Sequence, residues 1–385
     1  MDFTLTDEQH EVAELARVFT AHEITPHAAE WDRDHHWPRK VIETAHSIGL
    51  TDLPIPERYG GVGLGTLETV IVAEEIARGC AGVASSLTLN DLVIHALLCG
   101  GDEVQLDTYM SRLSAGAFAA YAMTEPSAGS DIAGIRTRAV RSGDQWVLNG
   151  SKMWITNAPA AEFFVIFAKT DPDARRRGIS AFVVERETDG LTVGAPLPKL
   201  GQRAAPAAEV FLEEVRVGSE ALLGAEGAGF EIAMYVFDRT RPVISAIAVG
   251  VMSRCLEEAV AYATERETMG RAIIGHQAVG HKLARIATDA EAARLLTRKA
   301  AWLADQGQAN TLGAAYAKAF AGDAAMAAAV ETVQVFGGVG YSSEFPAEKL
   351  MRDAKVLQIY EGTSEIQRNI IVRELARGGD RRAVR

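Results

Sequence analysis

The order of hydrophobic periodicities constrains this chain more than any single residue does: a helical first third, a β-patterned middle and a helical last third. From residue 7 to about 116 apolar side chains recur three or four apart, with interruptions at Trp37-Pro38, at Pro54-Ile55-Pro56 and through the glycines of 60–65. From 118 to about 217 the runs shorten and become β-prone, as in Trp146-Val147-Leu148 and in stretches 163–167 and 181–184. After Gly227-Ala228-Gly229 the helical period returns, and the Ala-rich stretches 243–268, 277–306 and 310–336 are each long enough for a bundle helix. A chain of 385 residues also exceeds the size at which one core stops growing. The expectation is an α+β multidomain protein with an N-terminal helical domain (1–117), a central β-barrel-like domain (118–226) and a C-terminal four-helix bundle (227–385). Helices on both sides of an all-β middle do not alternate as βαβ units, which argues against a doubly wound nucleotide fold. Neither G-x-G-x-x-G nor a Walker A pattern occurs.

Charge and composition narrow the function classes. With 39 basic against 51 acidic side chains, the formal charge of −12 offers no broad attraction for nucleic acid or an anionic membrane, although a local basic pocket for a phosphorylated ligand stays open. The start of the chain lacks the basic and apolar runs of a signal peptide, and no later segment reads as long and apolar enough to span a bilayer, so a cytoplasmic protein without membrane insertion is expected. The only low-complexity feature is a short basic end, 381–385. Cys80, Cys99 and Cys255 sit in apolar stretches and read as reduced core residues. His22, His27, His35 and His36 lack metal-ligand spacing and read as surface and packing residues, so no metal is expected. Asn149-Gly150-Ser151 matches a glycosylation sequon, but Asn-Gly between apolar runs reads as a hairpin turn.

One short stretch stands apart. In Ile359-Tyr360-Glu361-Gly362-Thr363-Ser364-Glu365-Ile366-Gln367, Ser364 and Gln367 fit a capping box, so a helix is expected to start there with Glu361 just outside its positive end. The helix terminus favours the charged carboxylate, while apolar burial would raise its pKa toward the range useful for proton abstraction. The plainer alternative is a carboxylate that caps or solvates a turn.

This stretch strongly resembles the segment carrying the catalytic glutamate of acyl-CoA dehydrogenases, especially the medium-chain type. Further segments resemble the same family in the family's order: 121–131 (Tyr-Ala-Met-Thr-Glu-Pro-Ser-Ala-Gly-Ser-Asp), 152–157 (Lys-Met-Trp-Ile-Thr-Asn), 237–242 (Phe-Asp-Arg-Thr-Arg-Pro) and 334–340 (Gln-Val-Phe-Gly-Gly-Val-Gly). The resemblance runs from about residue 3 to about 374. It implies the acyl-CoA dehydrogenase fold, an FAD cofactor and an acyl-CoA substrate. It also implies an electron-transfer flavoprotein as acceptor and a homotetramer.

By that resemblance Glu361 is the catalytic base. Tyr121, Met123, Thr124, Gly129, Ser130, Trp154, Ile155, Thr156, Thr363 and Glu365 are implied to hold the flavin. Arg266, Thr268, His276 and Gln277, with Gln334, Val335, Gly337 and Gly338, are implied to reach the FAD of a neighbouring subunit. Ser130, Asp238, Arg241, Tyr360 and Gly362 are implied to lie around the acyl-CoA. The residues alone leave blander readings open. Segment 121–130 fits an ordinary strand-to-turn transition, Trp154 a core aromatic, Arg266 a solvated helix end and 238–241 a salt-bridged surface turn. Trp154 and Thr156, two apart on an apparent strand, should share one face. Pro242 should break or kink its helix.

Removing hydrogen across the α,β bond of an acyl thioester needs a base, polarisation of the carbonyl and a hydride acceptor that no side chain supplies. An acyl-CoA oxidase, a dehydrogenase of carrier-bound thioesters, a non-catalytic flavoprotein and a redox-neutral lyase or isomerase remain rivals. The chain departs from the family at 204–208, Ala-Ala-Pro-Ala-Ala where relatives carry Ser, Thr or Arg, and at Ala309, where close relatives carry an Arg; Thr311 is retained.

Overall fold

The computed structural model describes residues 4–378; the first three residues and residues 379–385, the basic end among them, lie outside the described residues. The N-terminal helices are α1 (Asp7–Phe19), α2 (Ala28–Arg33), α3 (Arg39–Ser47), α4 (Thr66–Gly79), α5 (Ala81–Leu87), α6 (Asn90–Gly100) and α7 (Glu103–Ser114). Local chemistry sets their starts. Thr6 with Gln9 and Asp102 with Gln105 form reciprocal capping boxes on α1 and α7. The first N–H groups of α4 are capped from far away in sequence: Asp305 accepts from Thr66 N at 2.7 Å and Leu67 N at 2.9 Å.

The middle of the chain forms β1 (Ala119–Ala122), β2 (Arg138–Ser142), β3 (Gln145–Thr156), β4 (Phe163–Lys169), β5 (Ile179–Glu185), β6 (Leu191–Val193), β7 (Ala207–Gly218) and β8 (Leu222–Leu223). They build one eight-stranded sheet in the order β6-β7-β3-β2-β4-β5-β8, with β1 pairing β4 in parallel. The last part holds α8 (Gly229–Glu265), the short hairpin β9 (Glu267–Thr268) and β10 (Arg271–Ala272), then α9 (Gln277–Asp305), α10 (Thr311–Phe336), α11 (Ala347–Val356) and α12 (Ser364–Ala376). One apolar cluster joins α1–α5 to α8–α11, so the two helical parts share a core. A second packs α6, α7 and the first turns of α8 on one face of the sheet, and a third fills the opposite face.

Four sequence readings need correction. Pro242 lies inside α8, which runs through without a break. Proline strips the donor from the Asp238 carbonyl, and Asn310 Nδ2 replaces it at 2.7 Å, so no orphan acceptor forces the helix apart. Asn149-Gly150 is not a hairpin turn but an irregularity within β3, where its register with β7 slips between Leu148 and Gly150. Gly150 has φ +153°, and a Cβ there would lie 2.5 Å from Thr137 Oγ1. The real turn is Gly143-Asp144, closing the Ser142–Gln145 pair of β2 and β3. Cys99 is exposed, although Cys80 and Cys255 are buried. Finally, 81–100 does reach membrane-spanning length and hydropathy, but 83% of that window is buried inside the protein and it is divided into α5 and α6. His22, His27, His35 and His36 are all exposed.

Candidate active site

Glu361 sits in the turn between α11 and α12 with φ +50°, a left-handed conformation that a non-glycine residue adopts only when its surroundings hold it there. Four side chains from three helices supply that hold. Arg241 Nε of α8 donates to the Glu361 carbonyl at 3.2 Å, and Gln367 Nε2 of α12 donates to it at 3.1 Å and to the Gly362 carbonyl at 3.0 Å. Lys318 Nζ of α10 donates to the Gly362 carbonyl at 2.6 Å. Thr240 Oγ1 donates to Glu361 Oε2 at 2.8 Å. Gly362 must be glycine: its φ is +93°, and a Cβ would come within 2.7 Å of Gln367 Nε2.

The α12 cap differs from the sequence reading. Thr363, not Ser364, is the N-cap, its hydroxyl accepting from Ile366 N; Ser364 Oγ is turned to Asp323, and Gln367 reaches the Glu361 turn instead of closing a capping box.

Burial pushes the Glu361 carboxyl up to about 7, against the opposing pull of the Thr240 hydrogen bond and the Arg241 and Lys318 cations. Burial likewise brings Lys318 down to about 8. Glu361 Oε1 and the Glu361 N–H take no hydrogen bond within the protein among the described residues.

A cavity of ≈ 180 Å³ opens beside this carboxylate. It is lined by Tyr121, Met123, Thr124, Gly129, Ser130, Trp154, Ile155, Thr156, Arg241, Tyr360, Glu361 and Gly362, so the structure brings together twelve of the residues singled out in the sequence. Leu89, Leu92, Phe237 and Ile244 give its apolar wall. Trp154 and Thr156 both line it, but not through strand alternation: Trp154 has φ +63° in the irregular stretch between Lys152 and Ile155, and the residue is 51% exposed. The side-chain hydroxyls of Thr124, Ser130 and Thr156 have no protein partner among the described residues, and a Cβ on Gly129 would meet nothing within 4 Å. An exposed aromatic plane beside free hydroxyls and open backbone suits a flat ring with a polar edge.

The loop 123–131 is pinned from behind by an ion pair that the sequence reading missed. Lys152 Nζ, fully buried, donates to Glu125 at 2.7 Å and to the Met123 carbonyl at 3.2 Å, while Glu125 also accepts from Arg136 N and Thr137 N. Burial brings Lys152 down to about 8.

Other expected residues lie elsewhere. Asp238 does not line the cavity; it takes a hydrogen bond from Thr311 Oγ1 at 2.5 Å and pairs with Arg241 at 3.7 Å. Thr363 is occupied as a cap, and Glu365 is exposed on the first turn of α12. Arg266, Thr268, His276 and Gln277 cluster around the β9–β10 hairpin, with His276 Nε2 3.1 Å from Thr268 Oγ1. Val335 is buried against Ala263 and Ile273, which sets Gln334, Gly337 and Gly338 beside that hairpin. None of these eight lines the Glu361 cavity.

In the 201–208 segment Ala204 and Ala205 are buried, and Lys199 Nζ donates to the carbonyls of Gln202 and Ala205. Gln202 Oε1 accepts from Ser85 Oγ, which is 3.2 Å from Tyr360 Oη. Packing and lysine-to-backbone bonds thus stand where hydroxyl side chains were expected.

Three family models cover the chain: acyl-CoA dehydrogenase N-terminal domain over 6–117, middle domain over 120–215 and C-terminal domain over 227–376. The chain is 41% identical over 378 residues to the probable acyl-CoA dehydrogenase FadE25 of Mycobacterium tuberculosis, spanning 97% of each. Among solved structures it superimposes with a TM-score of 0.96 and 40% identity on a chain from the study of the electron transferring flavoprotein of Acidaminococcus fermentans, covering 98% of this chain and 100% of that one. It matches the butyryl-CoA dehydrogenase of Megasphaera elsdenii with a TM-score of 0.95 and 37% identity, again over 98% and 100%. The chain belongs to the acyl-CoA dehydrogenase family, and with it to the FAD-dependent oxidoreductases.

Proposed function

We propose that this protein dehydrogenates an acyl-CoA thioester across its α,β bond to the trans-2-enoyl-CoA, with Glu361 as the base. The observation that carries this reading is a carboxyl raised to about 7 beside an apolar-walled cavity, with one oxygen held by Thr240 and the other free. Near neutral pH about half of such a group is ionised, which suits a general base. Thr240 fixes one oxygen, so the proton is taken at Oε1. The Glu361 N–H, unpaired among the described residues, would hold the thioester carbonyl oxygen, and the bonds from Arg241 and Gln367 to the Glu361 carbonyl, which keep the turn in one conformation, support that role. Arg241, at 3% exposure and over the Phe237 ring, favours the negative charge that develops next to it.

Trp154, Thr124, Thr156 and Ser130 would hold the FAD, which when bound supplies the hydride acceptor that side chains lack. Electrons then pass to an electron-transfer flavoprotein. The residues Arg266, Gln277 and Gln334 do not line this cavity and are exposed, which supports their reaching the cofactor of a neighbouring subunit in a homotetramer. Anaerobic addition of acyl-CoA thioesters of graded length to the FAD-loaded protein tests the reading. Bleaching of the flavin by one of them is expected; a flavin that no thioester bleaches overturns it.

A further inference from the structure

The dehydrogenation reading gives the Glu361 N–H a thioester oxygen to hold, and on that reading something has to aim the N–H. The bonds from Arg241 and Gln367 grip the Glu361 carbonyl, which belongs to the peptide after Glu361. The N–H belongs to the peptide before it. Among the described residues neither that N–H nor the Tyr360 carbonyl takes a hydrogen bond within the protein. A peptide plane free at both edges can rotate about its two flanking bonds, which would return Glu361 from φ +50° to an ordinary negative value and swing the N–H to the other side of the turn. The left-handed setting persists only where both neighbours are held. Lys318 and Gln367 hold the Gly362 carbonyl, so the second hold has to fall on Tyr360.

Tyr360 is held by its side chain. Its hydroxyl lies 3.2 Å from Ser85 Oγ of α5 and 3.5 Å from Gln202 Nε2. Ser85 gives its one proton to Gln202 Oε1 at 2.7 Å, so Tyr360 donates to Ser85 and accepts from Gln202. Gln202 is clamped in turn by α11: the fully buried Asp353 carboxylate accepts from the Gln202 N–H, and the Asp353 carbonyl accepts from Gln202 Nε2 at 3.4 Å. Lys349 Nζ donates to the other Asp353 oxygen at 2.6 Å and matches its charge. Gln202 is itself buried and left-handed, with φ +48°, a setting this clamp accounts for. Ser85 and Tyr360 line the Glu361 cavity, whereas Gln202 and Asp353 do not.

We propose that Gln202, clamped by Asp353, is a positioning residue for the reaction: through Ser85 and the Tyr360 hydroxyl it fixes the Tyr360–Glu361 peptide plane with the Glu361 N–H toward the thioester oxygen. The effect belongs to the transition state, where negative charge gathers on that oxygen. A slack peptide plane leaves thioester binding nearly as it was and slows removal of the α-proton.

The test combines Gln202→Met, which keeps the length of Gln without its hydrogen bonds, Tyr360→Phe, which loses only the hydroxyl, and the double variant. Anaerobic flavin reduction of the FAD-loaded proteins over a range of acyl-CoA concentrations separates the rate at saturation from affinity. Each single variant is expected to slow reduction about tenfold or more at unchanged affinity, short of the roughly hundredfold or greater loss of an oxyanion donor itself. The double variant should be no slower than the slower single one, because both cut the same tether. Isotope-edited infrared of the bound thioester gives a readout that a merely structural staple would not move: the C=O stretch should lie higher in both variants than in the wild type, as its hydrogen bond weakens. Unchanged rates, additive losses or an unmoved stretch overturn the proposal. If Gln202→Met does not fold, Tyr360→Phe, which keeps the ring in place, decides by its rate and its stretch. If no thioester bleaches the wild-type flavin, the dehydrogenase reading fails, while the infrared comparison still judges the tether.

Discussion

Replacing Glu361 by Gln in the flavin-free protein should stabilise it, and more so as the pH rises. The wild-type carboxyl has a folded pKa of about 7 against an ordinary value of 4.5. Because the folded value is the higher one, the protonated group's contribution is fully present below about pH 4.5 and is lost as the pH rises through about 7. The whole effect is about 3 kcal/mol, from about 1.4 kcal/mol per unit of pKa. Roughly 1 kcal/mol of it is already gone at pH 5, so the Glu361→Gln variant should gain about 2.5 kcal/mol on the wild type between pH 5 and pH 8. With an unfolding entropy of about 2 cal/mol/K per residue, that corresponds to about 3 °C in melting temperature. The assay is thermal unfolding of both flavin-free proteins at the two pH values, where titrating groups that do not face Glu361 cancel in the difference; Lys318, at about 8 and held up in part by the Glu361 charge, works against the gain at the upper pH. A difference that is the same at pH 5 and pH 8, or that shrinks, would refute the desolvated, charge-penalised carboxylate.

Lys318→Met removes a cation that favours ionised Glu361, so the rising limb of flavin bleaching with pH, near 7 in the wild type, should move upward by about one unit, the small end of the usual range for an opposite charge nearby; a limb that stays or moves down contradicts this. Lys152→Met strands the buried Glu125 carboxylate and should cost about 3–5 kcal/mol, most of it recovered when Glu125→Gln is added. Melting temperatures of the single and double variants decide it, and a neutral single variant would show that the pair does not hold the loop.

The helix–sheet–helix order was legible because each third has its own period, and the loop around Glu361 because a hydroxyl-capped helix start follows it, although the cap is Thr363 and not Ser364 and the role of Glu361 came from the family resemblance. What escaped was long-range. That Asn310 would supply the donor missing at Pro242 depends on the packing of α10's first turn against α8, 68 to 72 residues apart in the chain. The irregular stretch at Trp154 is invisible to a period-two reading, since a left-handed residue reverses the facing of everything after it. Lys318 had a faint signal, a lone cation in an Ala-rich helix interior, where only a specific acceptor makes burial tolerable. Lys152 and Glu125 sit 27 residues apart inside two recognised segments, and nothing local couples them.

The most direct measurement is rapid anaerobic mixing of the FAD-loaded Glu361→Gln protein with the acyl-CoA that bleaches the wild type fastest. Gln keeps the turn and the Thr240 contact but cannot take a proton, so the flavin should stay bound while its reduction slows by at least about two orders of magnitude. Reduction at near the wild-type rate would mean that the α-proton leaves to some other group and that Glu361 is not the base.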